Sequence, residues 1–167
     1  FQDTNLVFFQ NILASLGKSV VEDCDFNFLT TKTKEGDSIG SILKICQKND
    51  KNIHNTINVE YNEIKKFLNK HPNFKKNTKK LSGNTNQFIV SLKTYDETIK
   101  KSKGIVPEFV NPKYEDQQKT IFKSPCRIET LMQDFAKHLN ENHKVTCTNI
   151  IDKIIFYPIK FPLSEKN

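Results

Sequence analysis

Apolar and polar positions along this chain follow two periods, and the switches between them divide it into helices and strands. Near the start, Leu6, Phe9, Ile12, Leu13 and Leu16 recur at helical spacing, with Thr4 as N-cap and Gly17 as the closing residue. Phe26 and Phe28 then alternate with polar neighbours, which predicts a strand over 25–31. A second strand is predicted over 39–47. The polar turn Asn49-Asp50-Lys51-Asn52 joins it to an antiparallel partner over 54–60, where Ile57, Val59 and Tyr61 alternate with Asn58, Glu60 and Asn62.

A short helix bearing Ile64, Phe67 and Leu68 stops before Pro72. An apolar strand follows over 88–92, and Thr94 with Glu97 forms a capping box for a helix through Lys101. The run from Ile105 to Val110 predicts a strand that must end by Pro112, since proline cannot donate to a central ladder. Ser124 as N-cap and Pro125 at the first helical position then predict a helix carrying Ile128, Leu131, Met132, Phe135 and Leu139. Two further strands are predicted over 144–150 and 154–160, the second an edge because of Pro158. This alternation predicts an α/β fold, a mixed sheet flanked by helices.

Composition changes that picture little. Of 167 residues, 36% are hydrophobic, which suits a folded chain. The charge of +7 leaves two readings open, a solvated lysine-rich surface or a face for a polyanion, but the lysines are spread through loops rather than gathered in one stripe. Cys24, Cys46, Cys126 and Cys147 have no zinc-type spacing, and no apolar run is long enough to span a bilayer. Reduced thiols in a cytoplasmic protein, with no nucleic acid and no membrane as partner, are the expectation.

Several residues stand where chemistry is commonly placed. Lys113 follows the strand that ends at Val110, and the carboxyl ends of strands are where α/β sheets bind ligands. Asp3 precedes the first helix, where it caps the turn or holds a cation. Gly40 near a strand's start marks a bulge or a close approach of ligand. Glu60 is a surface carboxylate or a hydroxyl acceptor, and Asn84 and Asn86 form a turn or recognise hydroxyls.

Certain motifs carry a more specific signal. The segment FVNPK, then KS, RIE and LMQDF, resembles the corresponding segment of UDP-sugar pyrophosphorylases. FQDTN before a helix ending ASLG, INVEYNE at 57–63 and GNTNQ at 83–87 resemble further segments of the same family. The resemblance implies a nucleotidyltransferase-type Rossmann-like (GT-A-like) domain and the joining of UTP to a sugar 1-phosphate, with release of pyrophosphate. It implies Asp3 as the ligand of a catalytic Mg2+, Lys113 as a catalytic phosphate-binding residue, and Gly40, Glu60, Asn84 and Asn86 as sugar-binding residues, Asn84 ahead of Asn86. Arg127 and Glu129 form a structural ion pair or support Lys113.

The departures shape the expectation as much as the matches. The family cradles UTP with a glycine-rich loop, whereas the glycines here, at 17, 36, 40, 83 and 104, are too dispersed to form one. The family's loop after the short helix is longer than the lysine-rich stretch over 71–82, and the resemblance thins beyond Phe135. Residues 1–140 are therefore expected to be the latter part of a catalytic domain and 141–167 the start of following strands and a tail. The chain begins at Phe1 and has its one methionine at Met132, so it reads as a fragment, inactive alone and monomeric when complete. A non-catalytic, pyrophosphorylase-like interaction protein and a basic RNA-binding module are the alternatives.

Overall fold

Alternating β-formers around Phe26 and Phe28 build the strand on which the core is centred. The computed structural model describes residues 5, 9–33, 39–72, 81–110, 112–118 and 120–150. Asp3, the predicted N-cap Thr4 and the strand predicted over 154–160 lie outside the described residues. Helix α1 (Ile12–Val21) leads into β1 (Phe26–Lys32), β2 (Ser41–Cys46), β3 (His54–Val59) and helix α2 (Tyr61–Lys70). β4 (Ser82–Val90), helix α3 (Leu92–Ser102), β5 (Glu108–Val110), β6 (Ile128–Thr130), a 3-10 helix (Met132–His138) and β7 (Val145–Asn149) complete the order.

Five strands form a mixed sheet in the order β3-β2-β4-β1-β7, with β7 parallel to β1 and the other pairs antiparallel. The predicted mixed sheet flanked by helices is thus present. On one face Phe26, Phe28 and Ile42 pack against Phe135, Ala136 and Leu139 from the 3-10 helix and its end. The Phe26 ring lies 4.8 Å from that of Phe88 and 6.1 Å from that of Phe135. On the other face Leu29 and Ile150 meet Ile12 and Ile89, so α1 covers that side. Burying each such side chain contributes roughly 1.5–3 kcal/mol. Asn27, wholly buried, ties the layers together through Ser19 Oγ of α1 at 2.9 Å and Thr148 Oγ1 of β7 at 2.8 Å.

The strand predicted over 88–92 is longer and earlier, since β4 takes in the asparagine stretch from Ser82 and Leu92 opens α3, and the strand predicted over 105–110 begins only at Glu108; three further features also differ. Gly17 does not close α1 but lies inside it, at an exposed point with nothing within 4 Å of an added Cβ. Its cost there is one of propensity alone, about 1 kcal/mol. The turn out of the helix falls instead to Asp23, with φ 50°.

Helix α3 is capped by Ser91 rather than Thr94: Ser91 Oγ accepts the Thr94 amide at 3.2 Å. The Thr94 hydroxyl donates to Asp25 Oδ1 and so is committed to a residue of the loop before β1.

The helix expected from Ser124 is absent. Residues 128–130 form β6, paired antiparallel with β5, and helical turns begin only at Met132. Strand pairing satisfies the backbone there, and the stripe of Ile128 and Met132 stays exposed while Phe135 and Leu139 are buried. Arg127 and Glu129 accordingly lie in and beside a strand, not on a helical first turn.

Candidate functional site

The ends of β2, β3 and β4 that lie together bring several chemically apt residues to one place. Ser41 pairs with Val59 of β3 and Gly83 of β4. Carried one residue further, this register sets Gly40 between Glu60 on one side and Asn84 on the other. A backbone bond confirms the second contact, the Asn84 amide donating to the Gly40 carbonyl at 2.8 Å. Thr30 continues the row as the partner of Asn84 on β1.

Glu60 sits at the junction of β3 with α2, and two features fix it. Its carbonyl accepts the first helical amides, from Glu63 at 3.0 Å and Ile64 at 3.1 Å. Its carboxylate accepts a 2.6 Å bond from Asn58 Nδ2. The positive end of the α2 dipole favours a carboxylate at this position. Glu60 is half-buried, so it remains reachable by a ligand.

Asn84 and Asn86 shape a bulge. On β4, Thr85 and Asn86 intervene between Asn84, paired with Thr30, and Gln87, paired with Leu29. The extra length is taken up by Asn86, whose φ of 57° is one that asparagine tolerates better than most residues. Asn84 Oδ1 accepts the Asn86 amide at 2.9 Å, and Asn84 Nδ2 donates to Asn86 Oδ1 at 2.9 Å. Thr85 fastens the bulge to β1 by donating to the Leu29 carbonyl at 2.7 Å. The turn-forming role of the two asparagines is therefore real, and Asn84 is nearly inaccessible at 3% exposure. Asn86 is the more open of the pair.

Gly40, Glu60, Asn84 and Asn86 are thus brought into one patch. Lys113 lies outside the five-stranded sheet. It follows β5 on the excursion between β5 and β6, where its carbonyl accepts the Lys123 amide at 2.9 Å and Tyr114 stacks on Phe122 at 5.2 Å. Its side chain is exposed, and among the described residues it has no hydrogen-bond or ion-pair partner. The same excursion contains Asp116, whose carboxyl is held below its ordinary range by backbone bonds from Ile121 and Thr120. Beside this loop, Val110, Pro112, Tyr114, Phe122 and Pro125 line an open, largely apolar hollow of about 610 Å³.

Asn58 is the residue that sequence reasoning missed. Its signal was available: it lies two positions before Glu60 on an alternating strand and so on the same face. As for a metal, the residue expected to hold Mg2+ is Asp3, which lies outside the described residues. Among the described residues no group of three His, Cys, Asp or Glu side chains is placed to hold one. Nor is any helix there long and apolar enough to cross a membrane.

The chain aligns along 96% of its length with UDP-sugar pyrophosphorylase from rice, at 37% identity over 166 residues. It resembles part of a UDP-sugar pyrophosphorylase. The Arabidopsis thaliana UDP-sugar pyrophosphorylase is 36% identical over the same length. The chain spans 27% of the length of these curated relatives. No protein-family model matches it.

Among solved structures, the UDP-N-acetylglucosamine pyrophosphorylase of Trypanosoma brucei superposes with a TM-score of 0.70 at 13% identity, covering 98% of this chain and 31% of that one. The UDP-glucose pyrophosphorylase of Leishmania major, as its V402W mutant, gives 0.56 at 18% identity, covering 86% and 31%. These likenesses bear on the fold alone, which matches part of that of the two pyrophosphorylases. The UDP-sugar pyrophosphorylase resemblance drawn from FVNPK, INVEYNE and GNTNQ therefore holds across nearly the whole chain.

Proposed function

We propose that this chain contributes the sugar-binding part of the active site of a nucleotidyltransferase that makes a UDP-sugar from UTP and a sugar 1-phosphate. A phosphate oxygen of the sugar 1-phosphate attacks the α-phosphorus of UTP, the bond to the β-phosphate breaks, and pyrophosphate leaves. The observation that carries the reading is the convergence of Glu60, Asn84 and Asn86 around Gly40 at neighbouring strand ends, Asn84 bonded to the Gly40 carbonyl and to Asn86, and Glu60 bonded to Asn58.

Reaction of this kind depends on positioning and charge neutralisation more than on covalent help from the protein. The half-buried Glu60 carboxylate accepts directional, charge-assisted bonds from sugar hydroxyls. The Asn86 side chain beside it is an amide, a group that both donates to and accepts from hydroxyls. Lys113, an unpaired cation among the described residues, neutralises phosphate charge once substrate is in place. Mg2+ held through Asp3 would supply further charge neutralisation on the phosphates.

The test is an assay of the natural full-length protein containing this sequence, with UTP and a panel of sugar 1-phosphates. Magnesium-dependent release of pyrophosphate that requires both substrates supports the reading. Its failure with every sugar 1-phosphate, in protein that is folded and binds UTP, overturns it.

A further inference from the structure

We propose that Asn58 is a positioning residue for Glu60, and that residue 40 is glycine in order to seat the Asn58 side chain rather than to let a sugar approach. The inference rests on the reading of Glu60 as a sugar ligand and goes beyond it by assigning two residues to its orientation.

The geometry at Gly40 carries the argument. A Cβ built there would stand 2.4 Å from Asn58 Oδ1 and 3.1 Å from both Cγ and Nδ2 of that amide. The Asn58 amide thus occupies the space that any other residue at position 40 would fill. A side chain at position 40 would therefore have to turn this amide, which is only 5% exposed, out of its place. From this seat Nδ2 donates 2.6 Å to Glu60 Oε1.

The other end of the amide shows what the arrangement sacrifices. Asn58 Oδ1 is buried without a hydrogen-bond partner among the described residues. An unpaired buried acceptor is destabilising, and an apolar side chain of similar shape would avoid it. Asparagine is justified here by the bond it makes to the carboxylate. That bond holds one carboxylate oxygen and leaves Oε2, which has no hydrogen-bond partner among the described residues, for a hydroxyl. Fixing the rotamer before binding reduces the ordering cost of a flexible glutamate.

The experiment measures affinities of UDP and UDP-glucose for the natural full-length protein, since their ratio isolates the contribution of the sugar. Asn58→Ala should weaken UDP-glucose by about tenfold, the scale of a lost charge-assisted bond, and leave UDP unchanged. Asn58→Leu, which keeps roughly the same shape but removes the donor, should do the same without opening a cavity. Gly40→Ala should weaken UDP-glucose similarly in the native background and have almost no further effect once Asn58 is alanine. In a Glu60→Ala background, Asn58→Ala should add nothing.

Equal loss of UDP and UDP-glucose, or losses at 58 and 60 that simply add, would overturn the inference while leaving Glu60 as a ligand. If Glu60→Ala itself spares UDP-glucose, the sugar-site reading and the inference both fall.

Discussion

Phe26, Phe28 and Leu29 in the five-stranded sheet are wholly buried, whereas Ile105, Val110, Phe122 and Ile128, in and around the β5–β6 excursion, are each more than half exposed. Both regions hold residues of the candidate site. Those on the sheet, Gly40, Glu60 and Asn84, are fixed by register and by bonds between strands. Lys113, on the excursion, is fixed locally, by a backbone bond and the stacked pair Tyr114 and Phe122. The contrast fits a division of labour. On the function proposed above, groups that discriminate hydroxyls would need a rigid frame and a cation that meets phosphates would need reach.

Removing one aromatic ring from each region should separate them most. Phe26→Ala should cost about 3–5 kcal/mol in denaturant melts, the usual penalty for emptying a packed core. Phe122→Ala, at a ring 58% exposed, should cost less than about 1 kcal/mol. Comparable losses would mean that the excursion is as firmly packed as the sheet.

Next in size is the effect of Lys113. Lys113→Met should lower kcat by about 100-fold, as loss of a transition-state charge partner does, with little change in melting temperature. A Lys113→Met protein that keeps its kcat but binds substrates weakly would assign the lysine to ground-state binding instead.

Asp25 sharpens the comparison from the side of the sheet, at the end away from the patch. Burial would raise its pKa, but the Thr94 hydroxyl, the Lys144 amide and the positive charges of His143 and Lys93 outweigh that and hold it below 3.8. A carboxyl with a depressed folded pKa contributes stability above its unfolded value and loses it as pH falls through the folded one. Asp25→Asn should therefore cost about 1 kcal/mol at neutral pH, allowing for solvent screening, and the gap to wild type should close below pH 3.8. A gap that persists in acid would place the effect in shape rather than charge. A comparably small effect is expected of Ser91→Ala, about 1 kcal/mol or less, measured as fraying of α3 by amide exchange.

The reach of sequence reasoning differs between these regions for a physical cause. Over 26–32 and 54–59 the alternating β-formers do give strands, although β1 is buried along nearly its whole length and the one buried residue of β3 is the polar Asn58. Over 124–139 the helical stripe was persuasive, with a serine, a proline and apolar residues at the right intervals. Only its second half is helical, because Ile128 to Thr130 are claimed by β5. Capping went the same way at α3. The sequence Ser91 to Thr94 contains two good N-caps, and the choice between them follows from Asp25, 69 residues away, drawing off the Thr94 hydroxyl.

The chain's own order of residues determines that there is a mixed α/β sheet and which residue types are candidates for sugar and phosphate chemistry, since alternation and short motifs are local properties. It also determines the likeness to UDP-sugar pyrophosphorylases. Tertiary structure alone decides that Gly40 lies between Glu60 and Asn84, and that the space above it belongs to Asn58. Strand register sets those contacts. Slipping a strand by one residue would turn Asn58 to the opposite face of the sheet, and no local pattern in the sequence encodes which side chain then meets a glycine across the ladder.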